Sequence, residues 1–113
     1  MTPTSRTLAW LRDAGCLAEV VERHNTFSGR KNDLFGFVDI VALDGALTIG
    51  VQATSAANVG ARVTKIRESD KLEAVLAAGW HIWVVGWKKY AKPVDGRYWR
   101  PVVRRVDEDA ESA

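Results

Sequence analysis

The sequence predicts a single α/β domain with a central mixed sheet flanked by helices. Three observations carry that prediction. The segment around Val59, Val63 and Ile66 repeats apolar residues at spacings of four and three, the period of a half-buried helix. The runs Val38-Asp39-Ile40-Val41-Ala42-Leu43 and Trp80-His81-Ile82-Trp83-Val84-Val85-Gly86-Trp87 are short and apolar nearly throughout, as strands covered on both faces are. The chain has 113 residues, 47% of them hydrophobic, which is enough for one core and not for two domains.

The elements follow in order. Thr4 to Ala14 reads as a helix capped by Thr4 or Ser5, with Leu8 and Leu11 as its apolar stripe and Gly15 as its stop. Leu17 to Arg23 reads as a strand centred on Val20 and Val21, and His24 to Asn32 as a polar loop. Two central strands are expected over Leu34–Leu43 and Leu47–Thr54, joined by a turn at Asp44-Gly45. A helix from Ala57 to Glu68 follows. A second helix starts at Ser69 or Asp70, with Glu73 placed for a capping box on Asp70 and Gly79 as its end. Trp80 to Trp87 carries tryptophans on both faces and belongs inside the sheet. Lys88 to Gly96 reads as a loop. Arg97 to Val106 reads as an edge strand, because Pro101 cannot donate to a ladder. Residues 1–106 thus form the domain, and 107–113 an acidic tail expected to be disordered.

Composition narrows the function classes. There is no long apolar run, so no transmembrane helix is expected. The polar start Met1-Thr2-Pro3-Thr4-Ser5-Arg6 does not resemble a secretory signal. The single cysteine, Cys16, allows neither an internal disulfide nor a cysteine-rich zinc site. A cytosolic (cytoplasmic) protein without a membrane partner is the plain reading. Net charge is only +2, but residues 88–105 hold seven basic side chains against one acid, Asp95, with Tyr90, Tyr98 and Trp99 interleaved. Basic and aromatic side chains together suit phosphate contact and base stacking; the alternative is a strand edge kept soluble by charge. His81 in the apolar strand reads as a satisfied core histidine, Cys16 as core, and the glycines at 36, 50 and 86 as sites of close packing.

The constellation with chemistry lies on the central strands. Side chains alternate along a strand, so Asp39 shares a face with Phe37 and Val41, and Gln52 shares one with Thr54. A carboxylate on an apolar strand, beside a strand with two polar groups at spacing two, suggests a metal-centred site. The alternatives are a structural aspartate bonded to backbone, and two solvent-facing strand residues. Asn58, Arg62 and Lys65 repeat along one flank of the following helix, which either faces that site or is an ordinary solvated side.

Gly29-Arg30-Lys31, Val38 to Leu43, a turn, and Ile49-Gly50-Val51-Gln52-Ala53-Thr54 together resemble the PD-(D/E)XK nuclease superfamily. The nearest flavour is the archaeal-type Holliday junction resolvases and phage endonuclease-like proteins, over roughly Thr4 to Trp87. The resemblance implies a restriction-endonuclease-like αβββαβ core and a metal-dependent endonuclease acting on DNA. It assigns Asp39 to the family's first acid. Gln52, Ala53 and Thr54 fall where the family has glutamate, any residue and lysine. Mg²⁺ or Mn²⁺ would be held by Asp39, Gln52 and the Ala53 carbonyl. This chain departs from the pattern at Gln52, at Thr54 and in lacking an acid early in the first helix. Asp33, Glu19 or Glu22 would then supply a second acid, and Lys31, Arg62 or Lys65 the catalytic cation. Arg30, Lys31, Arg62, Lys65, Lys88, Lys89, Arg97, Arg100 and Arg104 are the expected nucleic-acid contacts. A homodimer and branched DNA are implied by the resolvases alone. A binding-only relative and a protein-interaction domain stand as alternatives.

Overall fold

The computed structural model describes residues 1–24 and 26–107. Five strands form one mixed sheet in the order β1 (Leu17–Val20), β4 (Ile40–Asp44), β5 (Leu47–Ser55), β6 (His81–Val94) and β7 (Arg97–Arg105). All neighbours are antiparallel except β5 and β6. A parallel pair needs a crossover, and here the 3₁₀ turn Ala56–Asn58, α2 (Val59–Arg67) and α3 (Leu72–Ala77) provide it. Helix α1 (Pro3–Asp13) precedes the sheet, and a two-stranded ribbon of β2 (Arg23–His24) and β3 (Lys31–Asn32) sits beside it in the topology as a separate sheet.

The core has two layers, one on each sheet face. On the α1 side Leu11, Ile40, Ala42, Ile49, Val51, Val85 and Trp87 pack together. On the α2 side Val38, Val59, Val63, Ile66, Ile82, Val84 and Val106 do so. β4, β5 and the inner half of β6 are therefore largely covered on both faces, which explains their apolar sequence. A buried polar link ties the α1 layer. The Trp87 indole donates to Thr7 Oγ1 at 2.9 Å, and that hydroxyl donates to the Pro3 carbonyl at 2.7 Å.

Several expectations are corrected. Thr2, not Thr4 or Ser5, caps α1, in a reciprocal box with Ser5, because Pro3 at the first helical position needs no donor there. Lys71, not Ser69 or Asp70, is the N-cap of α3, and it carries no side-chain cap bond. The Asp44-Gly45 turn shifts by one residue, since Asp44 still pairs with Leu47. The strand expected from Leu34 begins only at Ile40. Phe35 and Gly36 take φ of +57° and +83°, so the chain turns back and Leu34 bridges Val38. Gly36 thus serves that turn and not close packing, whereas Gly50 and Gly86 do lie against neighbouring atoms. The polar loop after β1 contains the β2–β3 ribbon, and Asn25 lies outside the described residues.

The largest correction concerns Lys88 to Gly96. It is no loop. β6 continues to Val94 and turns at Asp95-Gly96, both at positive φ, into β7. Its polar composition reflects a strand that has run past the helices. Asp107, assigned from sequence to the tail, is tied to the fold. It accepts from the Ile82 N–H at 3.1 Å and lies 2.9 Å from His81 Nδ1. The remainder of the tail lies outside the described residues.

Candidate functional site

The site is built where the turn at Phe35-Gly36 returns the chain to the sheet. Asp39 is the last residue before β4: its N–H donates to the Val51 carbonyl at 2.9 Å, and its carbonyl accepts from Val21 at 2.8 Å. Ile40 pairs with Val51, and Asp39 bonds to that same Val51 carbonyl and to the Ala53 N–H, which sets it beside Gln52. The tight turn Asp33–Gly36, closed by the Gly36 N–H on the Asp33 carbonyl at 2.9 Å, brings Asp33 to the same place. Glu22, just past β1, completes the group. Carboxylate oxygens of Glu22, Asp33 and Asp39 lie within 4.8 Å of one another.

Burial and bonding differ among these residues. Asp39 is 5% exposed and Gln52 3%, whereas Glu22 and Asp33 are half-buried and open the group towards solvent. Asp39 Oδ2 accepts the Ala53 N–H at 2.8 Å. Gln52 Nε2 donates to Asp33 Oδ2 at 3.4 Å, a long contact. Gln52 Oε1 is buried with no hydrogen-bond partner among the described residues. An unpaired buried carbonyl costs about 1–3 kcal/mol, so this amide is an unmet demand for a donor or a cation.

Desolvation pushes the Asp39 carboxyl from its ordinary 3.8 up to about 7, with the Asp33 hydrogen bond and the charges of Asp33 and Glu22 adding to it and the Ala53 N–H opposing it. The charges that act on Asp39 are thus both negative. The three acids form a concentration of like charge that a bound cation would relieve.

The remaining expected residues are placed as follows. Thr54 is buried and lies two residues along the same strand face as Gln52. Glu19 is corrected as a candidate acid: it pairs across to Val41, is largely exposed and lies 3.8 Å from Arg12. Arg62 is half-buried and Lys65 exposed on α2, and among the described residues neither pairs with the acids. Arg30 is exposed in the loop before β3. Lys31 is placed in β3 by its backbone, and its side chain lies outside what is described.

The basic run divides between faces. Val84 stands beside Gln52 and Gly86 beside Thr54, so Lys88 continues the face of the acidic group, Arg100 and Arg104 join it through their pairing with Lys88 and Val84, and the Tyr90 ring lies against Lys88 and Arg100. Lys89 and Arg97 take the opposite face. There Arg97 lies 3.7 Å from Asp13, and Trp99, the partner of Lys89, stacks under Arg6 at 4.0 Å. The sequence alone hid this division, because the length of β6 was not legible in it.

Compared with known protein families, curated proteins and solved structures, the chain matches none. The functional reading therefore rests on the site itself. Among the described residues no helix is long and apolar enough to cross a membrane.

Proposed function

We propose that this protein is a divalent-cation-dependent DNA endonuclease built on a restriction-endonuclease-like core. The observation that carries the reading is the convergence of Glu22, Asp33 and Asp39, with the Gln52 amide nitrogen on Asp33 and its carbonyl buried and unpartnered among the described residues. Hard cations such as Mg²⁺ and Mn²⁺ take oxygen donors, several of them carboxylates. Three carboxylates and an amide meet that requirement, and the Asp33 and Glu22 acids supply the charge that Gln52 lacks. Rotation of the Gln52 amide would exchange its nitrogen for its oxygen on the Asp33 side. The acids on their own favour the Nε2–H there, and a cation would favour Oε1.

When bound, the cation would polarise a phosphodiester and lower the pKa of water beside it. The chain's own residues do the rest. The Ala53 N–H fixes one Asp39 oxygen and so orients the carboxylate. Burial of Asp39 and Gln52 excludes bulk water from the inner side of the site, while half-buried Glu22 and Asp33 border the entrance. Element order also supports the reading. Apart from the β2–β3 ribbon, α3 and β7, the order of a helix, three antiparallel strands, a crossover helix and a parallel strand is compatible with the αβββαβ core of the nucleases the sequence resembles.

The test is a cleavage assay on linear, single-stranded and four-way DNA with Mg²⁺ or Mn²⁺. Wild type is expected to cut at least one form. Asp39→Asn and chelator are expected to reduce the rate by a hundredfold or more, about 3 kcal/mol of transition-state stabilisation. Unchanged cleavage by Asp39→Asn, or none by wild type, would reject the reading.

A further inference from the structure

We propose that the β6–β7 hairpin carries a docking platform for a single-stranded DNA tail, centred on Tyr90 with Lys88 and Arg100. The inference rests on the nuclease reading and names the substrate form that the site would take. Four observations support it.

The first is placement. Lys88 and Arg100 share the sheet face of Gln52 by register, and Tyr90, in the register shift after Lys89, is joined to them by ring contact. Lys88 lies one residue beyond the Ser55–Trp87 pair. It is therefore about 13 Å along the strands from Gln52 and about 5 Å across. A few nucleotides span that path.

The second is openness. On the opposite face Arg6 of α1 lies over Trp99 at 4.0 Å, beside a smaller hollow of about 270 Å³. Lys88, Tyr90 and Val102, with Trp87 and Lys89, border a larger hollow of about 570 Å³ against Ser55, Ala56 and Ala57.

The third is uncompensated charge. The Arg100 guanidinium lies 4.1 Å from the Tyr90 ring centroid and the Lys88 ammonium 5.3 Å. Among the described residues neither cation has a carboxylate partner, and Arg100 Nε is buried with no acceptor. Two cations on one ring with no anion present call for a phosphate.

The fourth is chemical. A duplex keeps its base faces stacked, so an aromatic ring beside phosphate-binding cations adds little to duplex binding. A single strand exposes base faces, and stacking on an aromatic ring or an Arg plane is its sequence-tolerant mode of recognition.

The experiment is fluorescence anisotropy in chelator, so that no cleavage intervenes. It compares a blunt duplex with the same duplex bearing an oligothymidine tail of about ten nucleotides. Wild type is expected to prefer the tailed form. Tyr90→Ala should weaken tail binding about tenfold and leave the blunt duplex unchanged. Tyr90→Phe should keep the preference. Lys88→Ala/Arg100→Gln should lose it, which secures the test should Tyr90→Ala fail to fold. Lys71→Ala removes one positive charge elsewhere and should bind as wild type. A folded Tyr90→Ala protein or a Lys88/Arg100 double variant with undiminished tail preference would overturn the proposal, as would a wild type that cuts DNA yet binds tailed and blunt forms equally. A wild type that neither binds nor cuts any DNA overturns the nuclease reading and this inference with it.

Discussion

Asp39 stands in an environment that works against its own charge, and this gives it a measurable signature. Its carboxyl is shifted from 3.8 to about 7, first by desolvation and then by Asp33 and Glu22. An acid whose folded pKa is raised binds its proton more tightly in the native state. Its contribution to stability is present in full below about pH 4 and is lost as pH rises to about 7. Metal-free protein should therefore lose stability across that window, read as a falling Tm. Asp39→Asn should flatten the slope. At pH 8 it should raise the metal-free Tm by about 4 °C, the shift that roughly 1 kcal/mol produces in a domain of this size. A variant that melts below wild type at pH 8 would contradict the like-charge account. Gln52 supplies the complementary case. Gln52→Glu adds a fourth acid, so it should lower the metal-free Tm and tighten Mn²⁺ binding about tenfold in calorimetry. Unchanged affinity would place the amide outside the ligand set.

The same residues show what the sequence could convey about the site. Asp39 and Gln52 were legible, because strand parity and pairing across a short hairpin depend only on local spacing. The choice of second acid was not. Asp33 reaches Asp39 through a turn that holds Phe35 at φ +57°, a conformation rare for an aromatic residue and therefore not inferable from its identity. Glu22 and Glu19 differ in that Glu22 lies just beyond the end of β1, a boundary that sequence patterns resolve poorly.

At the scale of elements, the contact between α2 and the sheet is the most exacting. A Cβ at Gly86 would stand 2.3 Å from Val59 Cγ2 and 2.9 Å from both the Ala56 Cα and the Ser55 carbonyl. The last two are backbone atoms and cannot step aside. Gly86→Ala should push the 3₁₀ turn and the start of α2 off the sheet, at a cost of about 1–3 kcal/mol in urea unfolding. Unchanged stability would mean that the helix start is not held against β6. The helices and inner strands were legible because Val59, Val63, Ile66 and the Trp80–Trp87 run repeat with periods that one buried face imposes. The outer half of β6 was not. Lys88 to Val94 runs past most of the helices, so no apolar alternation marks it, and it is tied to β7 through Lys88–Arg100, Lys89–Trp99 and Val94–Arg97 across a register shift.

For the whole molecule, the sheet separates two unlike faces. One face is stapled to α1 through Thr7, Trp87, Trp10 and the Arg6–Trp99 contact. The other carries the acidic group near β4–β5 and the cations of β6–β7 beyond it. A DNA strand lying on that face would meet Lys88, Arg100 and Arg104. Binding should weaken with salt, with log K falling against log[salt] at a slope of about −2 to −3 for three phosphate contacts. Arg100→Ala should reduce that slope by about 1. A slope near zero would remove phosphate contact from the account. The central claim is tested most directly by titrating wild type and Asp39→Asn with Mn²⁺ and following the free ion by electron paramagnetic resonance at pH 8. One Mn²⁺ bound per wild-type chain, with binding lost in the variant, is the result predicted. Wild type that leaves the ion free, or a variant that binds it as tightly as wild type, would contradict a metal centre at Glu22, Asp33, Asp39 and Gln52.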